Sequence, residues 1–345
     1  MNRFKVSYVT TLPKEGNAPR VTIIGDEIKK YKVSFYELNR GLVSSGFCET
    51  NQTIVGKTKQ WFTEWIIIID DEYGNPAYHE FFKPNGKKIF IKMDAHALGD
   101  NIAWMPYVEE FRKKHECTVI CSTFYNDLFI DSYPEILFVK PNTQIDNIYA
   151  QYYIGASDDD NPYYSPVKFS KVPLQIVAAD ILGLDRIEIK PDLSILCKHL
   201  PPRVKSKYVT LSEHGSSDIK KWRDENGWQK VVDYLTSLDY QVLVISKEPT
   251  KLKNVIDLTG DVSLEKRVQD IYHAKAHLGI SSGLSWLAWA VGTHVVMVSD
   301  FTPKWHEFQT NITRFCASDL DSINYSVDAQ TKIEDVIQKL GELGL

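Results

Sequence analysis

Twice along this chain short β-branched runs alternate with amphipathic stretches, and that rhythm constrains the fold more than any other feature. From Lys88, KIFIKM reads as a strand, DNIAWMPYVEEFRKKH as a helix, CTVICST as a strand, FYNDLFIDSYP as a helix and ILFVKP as a strand; a further helix is expected at KVPLQIVAADILGL. After CKHLPPRVKS, where Pro201 and Pro202 mark a linker, the alternation restarts. It runs KYVTLSE, GWQKVVDYLTSLD, YQVLVISKE, NVIDLTG, SLEKRVQDIYHAK, AHLGISS, GLSWLAWAVG, THVVMVSD and TKIEDVIQKLGEL. Crossovers of this length join parallel strands, so each series predicts a doubly wound, Rossmann-like sheet. Two α/β domains, 89–198 and 199–345, are expected to face each other across a cleft suited to a two-substrate reaction.

The first 88 residues have a different grain. FKVSYVTT, PRVTIIG, YKVSFYEL, QTIVG, WFTEWIIIIDD and YHEFFKP are separated by EYGNPAY and KPNGKK, which predicts an antiparallel β domain of hairpins over 1–88. No chemical motif declares its job, which stays open between acceptor binding, dimerisation and a cover over the next domain. At 43% hydrophobic and 25% charged residues the chain is globular, and a net charge of -5 without a basic tail argues against a nucleic-acid partner. The start, MNRFKVSYVTTLPKEG, lacks the apolar core of a secretory signal, and WIIIID is too short to span a bilayer. A cytoplasmic protein without stable membrane insertion is expected. Cys48, Cys117, Cys121, Cys197 and Cys316 are scattered; Cys117 and Cys121 share a β-branched run and read as buried thiols.

Chemistry concentrates at a few strand-to-helix turns. HALGDNIAWMPY places Asp100 after the strand IFIKM, at the carboxyl end where α/β ligands collect. Asp100 is either a first-turn or capping carboxylate or a base facing the cleft, and a helix start would hold it ionised and weaken it as a base. His96 and Gly99 flank it; Trp104, one turn on, either walls a sugar or packs the core. LSEHGSSDIKKW brings Ser212, Glu213, Ser216 and Ser217 near Lys220 and Lys221, either a phosphate environment or a polar loop with solvated lysines. In DLTG, Thr259 and Gly260 are candidates to border a base. In ISSGLSWLAWAVG, Ser282, Gly283, Leu284 and Ser285 put free helix-start amides where a diphosphate would bind, with Trp286 and Trp289 read as core. The chain has no GxxxxGK[ST] loop, no GxSxG elbow and no HExxH. Asp158, Asp159 and Asp160 read as a solvated acidic loop, so no metal site is expected.

Taken in order and spacing, ALGDNIAWMPY (97–107), KKWRDENGWQKVVDYL (220–235) followed by YQVLVISKE, DLTG (257–260) and GISSGLSWLAWAVGTHVVMVSDFTP (279–303) resemble the bacterial autotransporter heptosyltransferases. These are cytoplasmic enzymes that glycosylate autotransporter adhesins, and more distantly the chain is similar to the lipopolysaccharide heptosyltransferase superfamily. YSPVKFSKVPLQIVAADILGL looks like the family's acceptor-side helix region, and the resemblance covers essentially the whole chain. It implies a GT-B fold, ADP-heptose as donor on the carboxyl-terminal half and a protein serine hydroxyl as acceptor on the amino-terminal half. It implies catalytic Asp100, a phosphate-binding Lys220, the glycine turn at Ser282 and Gly283, and Trp104 as the tryptophan of the aspartate motif. The nucleotide sugar, a protein acceptor such as an autotransporter adhesin and a homo-oligomer are the partners it implies, with no obligatory cofactor besides the donor.

In one place the chain departs from the family pattern. The well-known members carry a four-cysteine iron finger after FTP...EF, whereas FTPKWHEFQTNITRFCASDLDSINYS holds Cys316 alone, so that finger is predicted absent. The expected reaction is an inverting displacement at the anomeric carbon. Its rivals are a GT-B enzyme using a UDP- or GDP-hexose or a glycan acceptor, and a non-catalytic sugar- or protein-binding module. A nucleotide-sugar epimerase would need a Gly-rich dinucleotide loop that the chain lacks.

Overall fold

The structure is a computed structural model, and it describes residues 3–9, 18–57, 61–157, 166–317, 319–324 and 330–345. Asp158, Asp159 and Asp160 lie outside the described residues. Up to Phe81 every strand pairs antiparallel. Strands β1 (Phe4–Ser7), β2 (Arg20–Ile23) and β5 (Thr53–Val55) form one sheet in the order β1-β2-β5. A second sheet is built from β3 (Lys30–Glu37), β4 (Gly41–Glu49), β6 (Trp65–Asp71) and β7 (Pro76–Phe81), in the order β4-β3-β6-β7. In β6 alternate residues Trp65, Ile67 and Ile69 are buried, so the isoleucine run divides between an inner and an outer face.

From Lys88 the strands turn parallel. β8 (Lys88–Met93), β9 (Thr118–Thr123), β10 (Leu137–Val139) and β11 (Ala150–Tyr153) form a sheet in the order β10-β9-β8-β11. Helix α1 (Leu98–His115) follows β8, α2 (Asn126–Phe129) follows β9, and α3 (Leu174–Leu182) follows β11. The fourth sheet, β14-β13-β12-β15-β16-β17, contains β12 (Tyr208–Ser212), β13 (Gln241–Val244), β14 (Ile256–Asp257), β15 (His277–Ile280), β16 (Val295–Val298) and β17 (Ile312–Phe315). Its helices are α4 (Gly227–Ser237), α5 (Leu264–Tyr272), α6 (Gly283–Val291) and α7 (Ile333–Glu342). β12, β15 and β16 are buried at every position, as central strands covered on both faces must be.

Several expectations need correction. β4, β11 and β17 were not foreseen, and the helix expected over 124–134 shrinks to the four residues of α2. There the Thr123 hydroxyl accepts from the Tyr125 amide and the Ser132 hydroxyl reaches the Asp192 carbonyl, local bonds that compete with a continuing helix. Helix α1 starts at Leu98, not Asp100, with no side-chain cap.

The two parallel lobes touch through helix starts. α1 is buried without interruption from Asn101 to Tyr107, because α3 and α6 pack on the sides its own sheet leaves open. A Cβ on Gly99 would sit 2.8 Å from Cδ1 of Trp286, and one on Gly283 would sit 2.8 Å from Cβ of Leu98. Only glycine permits this approach. Gly99→Ala is therefore expected to cost about 1–3 kcal/mol by overpacking against the buried Trp286, read as a lower denaturant midpoint; an unchanged midpoint would mean that Trp286 yields freely.

Candidate active site

Each parallel sheet has a switch point where consecutive strands part to opposite sides, and both switch points open onto one cleft. In the amino-terminal lobe it lies between β8 and β11, where the chain enters α1; in the carboxyl-terminal lobe it lies between β12 and β15. The cleft has a volume of about 620 Å³, lined from one side by His96 to Asp100 and from the other by His214 to Ser216, Lys220 and Ser281 to Leu284.

Asp100 is fixed by its neighbour. Fully buried Asn101 donates to the carbonyls of Ala95 at 2.8 Å and Ala97 at 2.9 Å and accepts from the Thr123 hydroxyl at 2.6 Å, pinning the turn. His96 stacks on Phe124 with ring centroids 4.0 Å apart at the exposed rim. Burial raises the Asp100 carboxyl from 3.8 to about 6, against the pull of the Lys220 ammonium. Burial thus outweighs the weakening expected from a helix start, and the carboxylate is suited to accept a proton near neutral pH.

Lys220 ends a single 3₁₀ turn, Asp218–Lys220, after β12. Burial lowers its pKa and Asp100 pushes it back up, so the two groups face each other electrostatically across the cleft. A Cβ on Gly215 would lie 3.6 Å from Cδ of Lys220 and 3.7 Å from Cβ of Ser282, which sets the ammonium stem beside the start of α6. Ser282 holds the cap position of α6, is 9% exposed, and its hydroxyl has no hydrogen-bond partner among the described residues. An orphaned hydroxyl beside free helix-start amides and a lysine is a place for an anion.

The remaining sequence candidates divide. Gly99, Gly283 and Leu284 line the cleft. Trp104 does not: it is fully buried and its indole N–H donates to the Leu174 carbonyl at 2.9 Å, so of its two readings the core is correct. Ser212 is buried with its hydroxyl 3.1 Å from Nε2 of His277, and Ser285 donates to the Ile280 carbonyl at 2.7 Å, so both side chains are engaged inside the lobe. Glu213 bonds the Thr250 hydroxyl and borders an adjoining cavity. Thr259 is tied to Asp257 at 2.6 Å and Gly260 donates to the carbonyls of Ser246 and Lys247, so that loop braces the cleft edge without lining it. Lys221 pairs on the surface with Asp218 at 2.8 Å. Sequence reasoning missed Lys247, Glu248, Phe301, Thr302 and His306, all lining the cleft. The available signal was position, since Ser246 to Glu248 follows β13 and Phe301 follows β16, both carboxyl strand ends.

Two parallel α/β lobes presenting an acid and a cation to one cleft at their switch points define a GT-B type glycosyltransferase fold. A model of glycosyltransferase family 9 (heptosyltransferase) matches residues 176–313. The autotransporter heptosyltransferase Aah of Escherichia coli is 32% identical over 300 residues, covering 81% of this chain and 75% of that one. The chain belongs to the autotransporter heptosyltransferases of this family and is a glycosyltransferase. Dodecameric iron-containing heptosyltransferase TibC of Escherichia coli, solved with ADP-D-beta-D-heptose, shares the fold with a TM-score of 0.85 at 23% identity, over 99% of this chain and 95% of that chain. An inactive autotransporter heptosyltransferase, BimC of Burkholderia thailandensis, is 29% identical, covering 74% of this chain and 63% of its own.

The residues present do not fit an iron centre like the one named for TibC. Cys48, Cys117, Cys121 and Cys197 are buried, with only Cys117 and Cys121 near each other in sequence, just before and within β9, and among the described residues no three His, Cys, Asp or Glu side chains are grouped to hold a metal. Among the described residues no helix is long and apolar enough to cross a membrane.

Proposed function

We propose that this chain transfers a heptose from ADP-heptose to a hydroxyl of a protein acceptor, a serine in our reading, with inversion at the anomeric carbon. Asp100 takes the proton of the acceptor hydroxyl while its oxygen bonds to the anomeric carbon. The bond from that carbon to the diphosphate breaks, and ADP leaves. Lys220, the Ser282 hydroxyl and the amides opening α6 meet the charge that develops on the leaving group. Residues 1–88 serve as an accessory β domain, 89–198 as the acceptor side and 199–345 as the donor side. A cytoplasmic location and a homo-oligomer, on the precedent of dodecameric TibC, belong to the same reading.

The observation that carries it is the meeting of Asp100, Lys220 and the orphaned Ser282 hydroxyl in the lining of one cleft. Support for the donor comes from TibC, whose solved complex holds ADP-heptose. Saturating ADP is expected to raise the melting temperature more than UDP or GDP, a ligand at about 100 times its Kd adding about 2.7 kcal/mol. A larger shift with UDP or GDP would replace the donor. A second reading, a non-catalytic module, has the inactive relative in its favour. Mass spectrometry of the protein incubated with ADP-heptose and cell lysate separates the two, since only turnover adds a heptose to an acceptor.

A further inference from the structure

Between β16 and β17 the chain leaves the carboxyl-terminal sheet, reaches the other lobe and returns. Its near end is fastened by buried polar groups. Arg314 on β17, with 7% of its side chain exposed, pairs with the fully buried Glu307 and donates to the Thr302 carbonyl at 2.9 Å and hydroxyl at 2.6 Å. The Thr302 hydroxyl donates to Glu307 at 2.9 Å and lies 2.6 Å from the Ser299 hydroxyl, which leaves Ser299 as donor in that bond. In the middle Phe308 stacks on Trp289, centroids 4.7 Å apart at 8°, and meets Trp286 edge-on at 5.0 Å.

The far end is held by the amino-terminal lobe. Glu188, in the loop after α3, accepts from the amides of Gln309 at 2.6 Å and Thr310 at 3.3 Å and from the Thr310 hydroxyl at 2.7 Å. The Leu174 amide, opening α3, donates to the His306 carbonyl at 2.9 Å. Between these fastenings Phe301, Thr302 and His306 face the cleft that holds Asp100 and Lys220. The resembled family carries its iron finger after FTP...EF, which here ends at Phe308. Here the only cysteine after β16 is Cys316, whose thiol contacts the Thr302 carbonyl at 3.7 Å.

We infer that Ser299 to Thr310 is an interlobe strap locked by side chains without a metal, and that Glu188, Glu307 and Arg314 are positioning residues for the cleft wall of Phe301, Thr302 and His306. The buried ion pair suits this task. Breaking it strands one charge in the interior, whereas removing both charges together is tolerated. Glu188 works differently, because one carboxylate gathers three donors of the strap and fixes its register against the opposite lobe.

The test is hydrogen exchange on the full chain, with Glu188→Ala as the main variant. The Gln309 and Thr310 amides should exchange about tenfold faster or more in Glu188→Ala, with far-UV circular dichroism unchanged, and Glu188→Gln, which keeps an acceptor oxygen, should restore part of the protection. Glu307→Gln and Arg314→Met should each lower the melting temperature, and the double variant should recover part of that loss. Protein from iron-replete cells should carry less than about 0.1 iron per chain and melt at the same temperature with or without EDTA. In Glu188→Ala the Kd of ADP should stay within roughly twofold while kcat/KM for transfer falls about tenfold, because Lys220 and Ser282 lie off the strap. Wild-type exchange at 309–310 in Glu188→Ala, or one iron per chain with an EDTA-sensitive melting temperature, would overturn the inference. Only the turnover arm rests on the proposed transfer. Absent turnover by the wild type would sink that reading, and the exchange and metal measurements would still decide the strap.

Discussion

Asp100→Asn is expected to abolish most of the transfer and to make the protein more stable at pH 8. The two effects share a cause. Burial raises the folded-state pKa of Asp100 from 3.8 to about 6, so the fold favours the protonated form. The stability linked to that proton is complete below pH 3.8 and is lost as pH rises through about 6. At pH 8 the ionised carboxylate therefore opposes folding, by an amount on the order of 2 kcal/mol. Asparagine keeps the shape and removes the charge. In the proposed transfer it also removes the proton acceptor, and the loss of general-base help should lower the rate by about 10²–10⁴-fold. Thermal unfolding at pH 8 and single-turnover transfer measure the two sides. A variant that melts lower would make Asp100 a structural carboxylate, and unchanged transfer would remove it as the base. In the wild type, kcat/KM should climb through about pH 6 as Asp100 ionises.

Lys220→Ala carries the second large effect and marks a different group. An ammonium on the diphosphate makes charge-assisted hydrogen bonds, whose loss is worth about 1.5–3 kcal/mol, or roughly 10- to 100-fold in the Kd of ADP. The same ammonium lowers the Asp100 pKa against burial. Without it the ascending limb of the pH profile should move above pH 6. Calorimetric titration with ADP and a pH profile of the variant test both parts. Unchanged affinity would place the diphosphate elsewhere, and an unmoved limb would break the coupling between the lobes.

Legibility followed how local each signal is. The strand with the continuous apolar run VVMV and the helix of Trp228, Val231, Val232 and Leu235 announce themselves by pattern, because burial on fixed faces demands it. β11, AQYY, and β17, ITRF, carry no such pattern; each is a strand because β8 or β16 offers it a parallel partner. Asp100 and Lys220 were legible as candidates because both follow strand ends, while their roles were implied only by the family resemblance. Glu188 and Arg314 were not, since an isolated glutamate in a loop and an arginine in a short strand look like solvated surface until their partners are seen.

By itself, the sequence determined the two parallel α/β series, the antiparallel start and the strand-end turns where a ligand site must form. Period, punctuation and chain direction are local properties that any folded state has to respect. Contacts between distant segments settled that burial lifts the Asp100 carboxyl to about 6, that Trp104, Ser212 and Ser285 are engaged inside, and that the connection from β16 to β17 is bonded to both lobes. Those outcomes depend on which groups lose water together and which distant segments meet, and no window of neighbouring residues encodes either.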